Sequence, residues 1–265
     1  MKKMEKAIVV SQVNVAQDTY SLHLNAPHIA KTAQAGQFVE MYINDGAMIL
    51  PRPISICDAD GDVVRFVYQV KGKGTKWLSA LTAGDALRIT GPLGVGFDLG
   101  LGGADAAAVA GGGIGIPPLL LLCKRLQAEN ANRAITAFLG YRGDVFLVKD
   151  FKKAGVTVKI ATDDGSLGFH GNVAQLLEHE RVPFGALYTC GPTPMLQSVA
   201  AYAEKRQMPC QVSMEEKMGC GVGACMSCVV KMKSAGSSTS AGDWTYKRVC
   251  ADGPVFNAAE VLWHG

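Results

Sequence analysis

Hydrophobic and polar residues alternate in short runs over the first hundred positions of the chain. The runs at 38–43, 63–70 and 86–90 are rich in β-branched and aromatic residues, and turn-forming residues separate them. An apolar run at 7–10 indicates a first strand. The pattern predicts a small antiparallel β-barrel over residues 1–100.

A different pattern begins near residue 100, where apolar runs of strand length alternate with segments of helical period. Strands are predicted at 107–110, 135–141, 156–161 and 186–190, and helices at 118–129, 145–153, 172–180 and 194–206. This alternation is typical of a parallel sheet covered by helices. Residues 101–212 therefore predict an α/β domain, and the Gly/Ala-rich stretch 99–107 marks its boundary with the barrel.

The last segment, 213–265, departs from the alternation of strands and helices and is predicted to be a third, small unit. It holds four of the eight cysteines of the chain. A Ser/Gly-rich stretch at 233–242 interrupts it and indicates a mobile loop.

The composition suits a folded protein and excludes two classes of partner. Hydrophobic residues make up 48% of the 265 positions and charged residues 18%, which is ample material for buried cores. The net charge is only +3, and Lys and Arg form no long block, which argues against nucleic acid. The longest apolar stretch, 114–123, contains two prolines and is too short to span a bilayer. We expect a cytoplasmic protein that keeps its thiols reduced.

The clustered cysteines provide the strongest chemical signal in the sequence. Cys220, Cys225 and Cys228 give the spacing C-x4-C-x2-C, and Cys250 follows after the Ser/Gly-rich stretch. This is the spacing of plant-type [2Fe-2S] ligands, and the glycines between these cysteines let a loop wrap closely around a cluster. A structural zinc site is the alternative, because the same four thiolates can bind zinc. The other four cysteines are scattered, as small buried hydrophobic residues would be.

Two short motifs in the barrel region suit a flavin dinucleotide. Arg52-Pro53-Ile54-Ser55 supplies a guanidinium for a pyrophosphate and a hydroxyl for the isoalloxazine edge. A strand that ends at Tyr68, Gln69 and Val70 leads to a glycine-rich helix start, in which Gly74 and Thr75 are candidate FAD-binding residues. We expect Thr75 to cap a helix at 76–81. An ordinary turn followed by a capped helix is the alternative interpretation.

The motifs Arg-Pro-x-Ser and Gly-x-Gly-Thr resemble the flavin-binding pattern of the ferredoxin–NADP reductase superfamily, whose members bind FAD on such a barrel. A glycine run after a predicted strand suits a dinucleotide pyrophosphate and consists of Gly111, Gly112, Gly113, Ile114 and Gly115. A packing turn is its alternative interpretation. The resemblance implies that this run and the Cys-Gly-Pro motif line a nicotinamide crevice; that motif is Cys190, Gly191 and Pro192.

A carboxylate at the end of a third predicted strand indicates which nicotinamide nucleotide binds. Asp163 would accept from a ribose hydroxyl and repel a 2′-phosphate, which favours NAD over NADP. A plain turn is the alternative interpretation of this position. The five histidines form no cluster, and no catalytic acid or base is predicted.

The whole chain resembles the electron-transfer subunits of NAD-dependent dihydroorotate dehydrogenases. That resemblance implies a heterotetramer in which a catalytic flavoprotein subunit oxidises dihydroorotate for pyrimidine biosynthesis. Electrons would then pass through the [2Fe-2S] cluster and FAD to NAD, because a flavin exchanges both single electrons and hydrides. The alternatives are a subunit of an NAD(P)H:ferredoxin oxidoreductase and, from another class, a zinc-binding regulatory module.

Overall fold

The computed structural model describes residues 2–44, 46, 48–103, 105–181, 183–234 and 244–263, and its N-terminal part is a β-barrel. Six antiparallel strands close the barrel: β1 (Lys3–Ala16), β2 (Thr19–Asn25), β3 (Phe38–Tyr42), β4 (Arg52–Asp60), β5 (Val63–Gln69) and β6 (Ala86–Leu93). Their order is β1-β2-β5-β4-β3-β6. Closure leaves no free strand edge, and alternate side chains such as Leu22, Leu24 and Phe66 fill the interior. The predicted barrel is confirmed.

Two short helices, α1 (Pro27–Thr32) and α2 (Lys73–Leu78), accompany the barrel. The prediction that Thr75 caps a helix at 76–81 is wrong, because α2 already begins at Lys73 and Gly72 occupies its N-cap position. Thr75 stands in the first turn of α2. Its hydroxyl oxygen accepts hydrogen bonds from the main-chain N–H groups of Lys71 (2.9 Å) and Gly72 (3.2 Å). Thr75 therefore holds the turn from inside the helix.

The second domain is built on a parallel sheet, as the alternation of elements predicts. Its strands are β7 (Ala106–Gly112), β8 (Ala134–Tyr141), β9 (Thr157–Thr162), β10 (Phe169–His170), β11 (Ala186–Cys190) and β12 (Cys210–Ser213). Their order is β10-β9-β8-β7-β11-β12, and all neighbours pair in parallel. The covering helices are α3 (Pro117–Glu129), α4 (Val148–Lys153), α5 (Val173–Glu180) and α6 (Thr193–Lys205).

Two element boundaries in this domain differ from the prediction by more than one residue, for local reasons. The helix predicted at 145–153 begins only at Val148, because Leu147 has a φ of 63°, which does not continue a right-handed helix. The strand predicted at 107–110 runs on through Gly111 and Gly112, which pair with Leu139 and Gly140 of β8. The first two glycines of the glycine run therefore belong to the sheet.

Helix α3 joins the two domains, because it lies between the sheet and strand β4 of the barrel. Its leucines, Leu119 to Leu122, are all buried, which fits a helix covered on more than one face. At the rim, Lys124 of α3 pairs with Asp58 of β4 at 2.5 Å. A second ion pair, Arg65 with Asp150 at 2.7 Å, links β5 to α4. These contacts fix the barrel against the sheet.

The C-terminal segment contributes a hairpin and one further strand to the sheet. Strands β13 (Val229–Lys233) and β14 (Trp244–Arg248) pair antiparallel. Strand β15 (Val255–Asn257) then pairs antiparallel with β12, so the sheet has seven strands. The loop predicted to be mobile lies outside the described residues from position 235 onwards. The domain divisions at 100/101 and 212/213 stay predictions.

Three of the four cysteines outside the cluster motif behave as small apolar residues. Cys57, Cys123 and Cys210 are buried, and all eight cysteines of the chain are free thiols. Of the helices in the described residues, none is both long and apolar enough to cross a membrane.

Candidate cofactor sites

Arg52 opens β4 and lies against the start of α2. Its Nη1 donates to the main-chain oxygens of Leu50 (2.5 Å) and Pro51 (3.3 Å), which orients the guanidinium. A Cβ atom at Gly74 would overlap that guanidinium, so a larger residue at this position would displace Arg52. The two motifs that the sequence offered for FAD thus meet in the structure.

A cationic groove forms where these motifs meet. It has a volume of about 250 Å³ and is lined by Arg52, Lys71, Gly72, Lys73, Gly74 and Thr75. Three positive side chains and the N–H groups at the start of α2 face this region, which is the donor set that a diphosphate requires. The groove therefore fits the pyrophosphate of FAD.

The other candidate FAD residues line the two strands that lead to the groove. The rest of the first motif continues β4 and pairs with β3 in the register Pro53↔Glu40, Ile54↔Val39 and Ser55↔Phe38. Tyr68 is buried, and its hydroxyl donates to Gln12 Oε1 at 2.8 Å. The Tyr68 side chain therefore belongs to the barrel core, whereas the exposed Gln69 and the half-buried Val70 remain beside the groove.

The glycine run and the Cys-Gly-Pro motif form two turns at one edge of the sheet. Strands β7 and β11 are neighbours, with Gly111 opposite Cys190. The chain proceeds from β7 to β8 on one side and returns to β11 on the other, so a crevice opens at the carboxyl ends of these strands. Cβ atoms at Gly112 and Gly191 would each lie 2.6 Å from atoms of the Met195 side chain. The glycines thus permit the close packing of this edge.

The side chains near this crevice differ in exposure and charge. Burial raises the pKa of the Cys190 thiol to about 12, so the thiol is neutral. Asp163 follows β9 at the same edge of the sheet, and its carboxylate lies 3.9 Å from Nε of Arg142. Both of these side chains are largely exposed. Asp163 is therefore available to a ribose hydroxyl at the edge where open parallel sheets bind nucleotides.

The four candidate cluster ligands come together as two pairs of thiols. The main-chain N–H of Cys225 donates to Cys220 Sγ, and the main-chain N–H of Cys250 donates to Cys228 Sγ, which links the cysteines in two pairs. Gly221 (φ 65°) and Gly223 (φ 87°) adopt left-handed backbone conformations, which let the loop turn back around the first pair. Three of the cysteines lie in this loop, and Cys250 follows the β13–β14 hairpin.

Main-chain N–H groups point at the sulfur atoms, as thiolate ligands require. Cys220 Sγ accepts from the N–H groups of Ala224 (3.3 Å) and Cys225 (3.4 Å), and Cys228 Sγ accepts from that of Cys250 (3.4 Å). Donation from the main chain, that of Val222 above all, lowers the pKa of Cys220 to about 6. Burial, followed by the neighbouring Cys228, raises the pKa of Cys250.

This arrangement fits a two-iron cluster. A structural zinc ion needs four ligands around one centre, whereas a [2Fe-2S] cluster needs two thiolates for each iron. The two pairs, Cys220 with Cys225 and Cys228 with Cys250, match the second requirement.

Two polar residues near these sites were missed by the sequence analysis. Glu40 of β3 is only 1% exposed, and neither of its carboxylate oxygens has a hydrogen-bond partner among the described residues. Burial, followed by the charge of Cys220, raises the pKa of Glu40 to about 7, and Arg52 opposes this shift. The one available signal was a charged residue inside an apolar strand.

Arg248 is the second missed residue and supports the cluster loop. Its guanidinium donates to Asp252 from Nε and Nη2, both at 2.9 Å, and from Nη1 to the main-chain oxygen of Gly223 at 3.0 Å. It therefore ties the turn that contains Cys250 to the loop that contains the other three cysteines.

Comparisons with known proteins identify the family of the chain. Residues 215–262 match the family described as the iron-sulfur cluster binding domain of dihydroorotate dehydrogenase B. The chain is 41% identical to the dihydroorotate dehydrogenase B (NAD(+)) electron transfer subunit of Geobacillus thermodenitrificans, over 97% of this chain and 98% of that protein. It is 40% identical to the subunit of the same name from Shouchella clausii, over 98% and 99%.

A solved structure of an NADH-dependent reduced ferredoxin-NADP oxidoreductase has a similar fold. It superposes with a TM-score of 0.82 at 29% identity, over 97% of this chain and 90% of that one. The agreement covers the barrel, the parallel sheet and the C-terminal segment. The chain therefore belongs to the family of electron transfer subunits of dihydroorotate dehydrogenase B (NAD(+)).

Proposed function

We propose that this chain carries electrons from a catalytic flavoprotein subunit, which oxidises dihydroorotate in pyrimidine biosynthesis, to NAD+ through a [2Fe-2S] cluster and FAD. It is an oxidoreductase subunit, and its partner is the catalytic subunit in a heterotetramer. The family membership supports the activity. The observation that carries the route is the contact between the cysteine loop and the barrel, where Gly221 lies against Glu40 of β3.

FAD supplies the conversion that the route requires, because a flavin exchanges hydrides with nicotinamide and single electrons with an iron–sulfur cluster. The barrel residues hold this cofactor. Arg52 and the start of α2 bind the pyrophosphate in the cationic groove. Pro53, Ile54, Ser55 and the main chain at residues 68–70 border the isoalloxazine ring.

The nucleotide domain binds NAD as a diffusible co-substrate. The turn at Gly113, where a Cβ atom would meet no neighbour, leaves space for the dinucleotide at the carboxyl ends of β7 and β11. Asp163 accepts a hydrogen bond from the adenosine ribose and disfavours a 2′-phosphate. Cys190 stays neutral beside the nicotinamide. The main role of the crevice is to position the nicotinamide.

Cys220 and Cys225 bind one iron of the cluster, and Cys228 and Cys250 bind the other. This assignment follows the two pairs of cysteines that main-chain hydrogen bonds link. We place the subunit in the cytoplasm, since a reducing compartment keeps eight unpaired cysteines as thiols.

The test is a preparation made without oxygen and analysed for iron, zinc, FAD and the visible spectrum. We expect two irons and one FAD per chain, and NADH-dependent reduction of an artificial dye. Dihydroorotate should reduce the cofactors only when the catalytic subunit is present. Zinc in place of iron, or no flavin, would overturn the proposal.

A second candidate function, reduction of ferredoxin, is suggested by the similarity to the ferredoxin-NADP oxidoreductase structure. The same preparation distinguishes the two functions. Reduction by reduced ferredoxin, with no response to dihydroorotate and the catalytic subunit, would favour the second candidate.

A further inference from the structure

Glu40 is a buried carboxyl group that the proposed binding of cofactors does not use. It is 1% exposed, and its two oxygen atoms have no hydrogen-bond partner in the described part of the chain. Burial of such a group without donors is costly and rare. The role of such a carboxyl group depends on the residues that surround it.

Those surroundings are the two proposed cofactor sites. A Cβ atom at Gly221 would overlap Glu40 Oε1, so the carboxyl group lies directly against the cysteine loop. Arg52 of the cationic groove acts on Glu40 electrostatically. Within the barrel, Glu40 stands opposite Pro53 of β4 and Thr90 of β6. Its carboxyl group thus contacts the loop and is affected by the charge of a residue of the groove.

Arg52 does not neutralise Glu40 by a close ion pair. Its Nη1 is committed to the main-chain oxygens of Leu50 and Pro51, and among the described residues no ion pair joins the two side chains within 4.0 Å. Since the dielectric constant inside a protein is low, an unpaired charge acts strongly on its neighbours. The nearest neighbour on the loop side is the segment that carries Cys220 and Gly221.

We propose that the charge of Glu40 lowers the reduction potential of the cluster bound by the cysteine loop, relative to that of the FAD, and so favours electron flow from cluster to flavin. The inference rests on the proposed function. A negative charge beside the loop disfavours an added electron there. Arg52 lines the groove proposed for FAD and offsets the charge of Glu40 there. Glu40 therefore acts on the cluster through its charge and is not one of the cluster ligands.

The test is a redox titration of the intact complex without oxygen, with the cluster followed by electron paramagnetic resonance and FAD by visible absorption. At about pH 8.5, well above the ordinary pKa of a glutamate, Glu40→Gln is expected to raise the ratio of reduced to oxidised cluster at a fixed poise by about tenfold. For a one-electron centre this corresponds to about 59 mV. The ratio of reduced to oxidised FAD should change by less than the ratio of reduced to oxidised cluster.

Two further variants separate charge from packing. Glu40→Met removes the charge and keeps a similar volume. It should therefore shift the ratio of reduced to oxidised cluster in the same direction, even if the Gln variant folds poorly. Asp60→Asn removes an equal charge at the far end of β4 and should leave both ratios unchanged. A merely structural role of Glu40 would alter cluster content without this shift in potential.

The outcomes distinguish the inference from the proposed function. If wild-type protein contains cluster and FAD, and neither neutral variant changes the cluster ratio, the inference is wrong and the proposed function stands. An equal shift in cluster and FAD would also overturn it. Wild-type protein without cluster or FAD would overturn the proposed function and the inference together.

Discussion

The main-chain oxygen of Cys190 lies so close to Gly115 that a Cβ atom at Gly115 would overlap it. The same Cβ would also overlap Cys190 C and Gly191 Cα. The turn after β7 and the turn after β11 therefore pack backbone against backbone. Because both turns belong to the crevice assigned to NAD, the shape of this crevice depends on the absence of one side chain.

Gly115→Ala should impair the reaction with NADH while the other two sites remain intact. The added methyl group has to separate the two turns, and overpacking of this kind typically costs about 1–3 kcal/mol. We expect the kcat/KM of NADH-dependent dye reduction to fall by about tenfold or more, with FAD and iron content unchanged. Gly100→Ala is the control, because its Cβ would meet only Asp98 Oδ1 at 3.4 Å. Normal NADH kinetics in Gly115→Ala would contradict the assignment.

Cys225→Ser should remove the cluster and spare the flavin. Cys225 is exposed, so its replacement disturbs little packing, but it removes one thiolate of the first pair. We expect the cluster absorbance to vanish, while NADH-dependent dye reduction through FAD partly survives. The control is Cys210→Ala, which changes a buried cysteine of β12 and should keep the cluster. Cluster absorbance retained in Cys225→Ser would count against this ligand assignment.

Much of the fold could be predicted from periodicity. The barrel strands and the alternating strands and helices follow apolar patterns of period two and 3.6, which local sequence expresses directly. The predicted ends of helices were less accurate where the conformation of a single turn residue determines where the helix begins. Helix α2 begins at Lys73 because Gly72 is extended and takes the N-cap position, and α4 begins late because Leu147 is left-handed.

The cofactor-site residues that form a contiguous motif could be predicted from the sequence. Contacts between residues far apart in the chain could not. Cys220, Cys225 and Cys228 lie within nine residues, and their spacing reflects the cluster itself. Glu40 and Gly221 are far apart in the chain, so their contact becomes visible only in the folded structure. The hydrogen bond from Arg248 to the main-chain oxygen of Gly223 also has no sequence signature.

Asp163→Ala should weaken the preference for NADH over NADPH. The carboxylate is exposed at the carboxyl edge of the sheet, 3.9 Å from Arg142 Nε, so its removal leaves that guanidinium free to attract a 2′-phosphate. We expect the ratio of kcat/KM values, NADH over NADPH, to fall by about tenfold. Asp105→Asn, just before β7 at the opposite edge, is the control and should not change the ratio. An unchanged ratio in Asp163→Ala would place the adenosine ribose elsewhere.

Arg248→Ala should shorten the lifetime of the cluster. Arg248 connects the Cys250 turn, through Asp252, to the main-chain oxygen of Gly223, so its loss lets the two parts of the ligand set move apart. Loss of such supporting residues typically weakens metal binding by about 10–100-fold, and we expect cluster absorbance in air to decay at least about tenfold faster. Arg206→Ala is a matched control, because it breaks an arginine–carboxylate pair with Glu178 on the surface of the nucleotide domain. Equal decay rates in both variants would mean that Arg248 does not support the cluster.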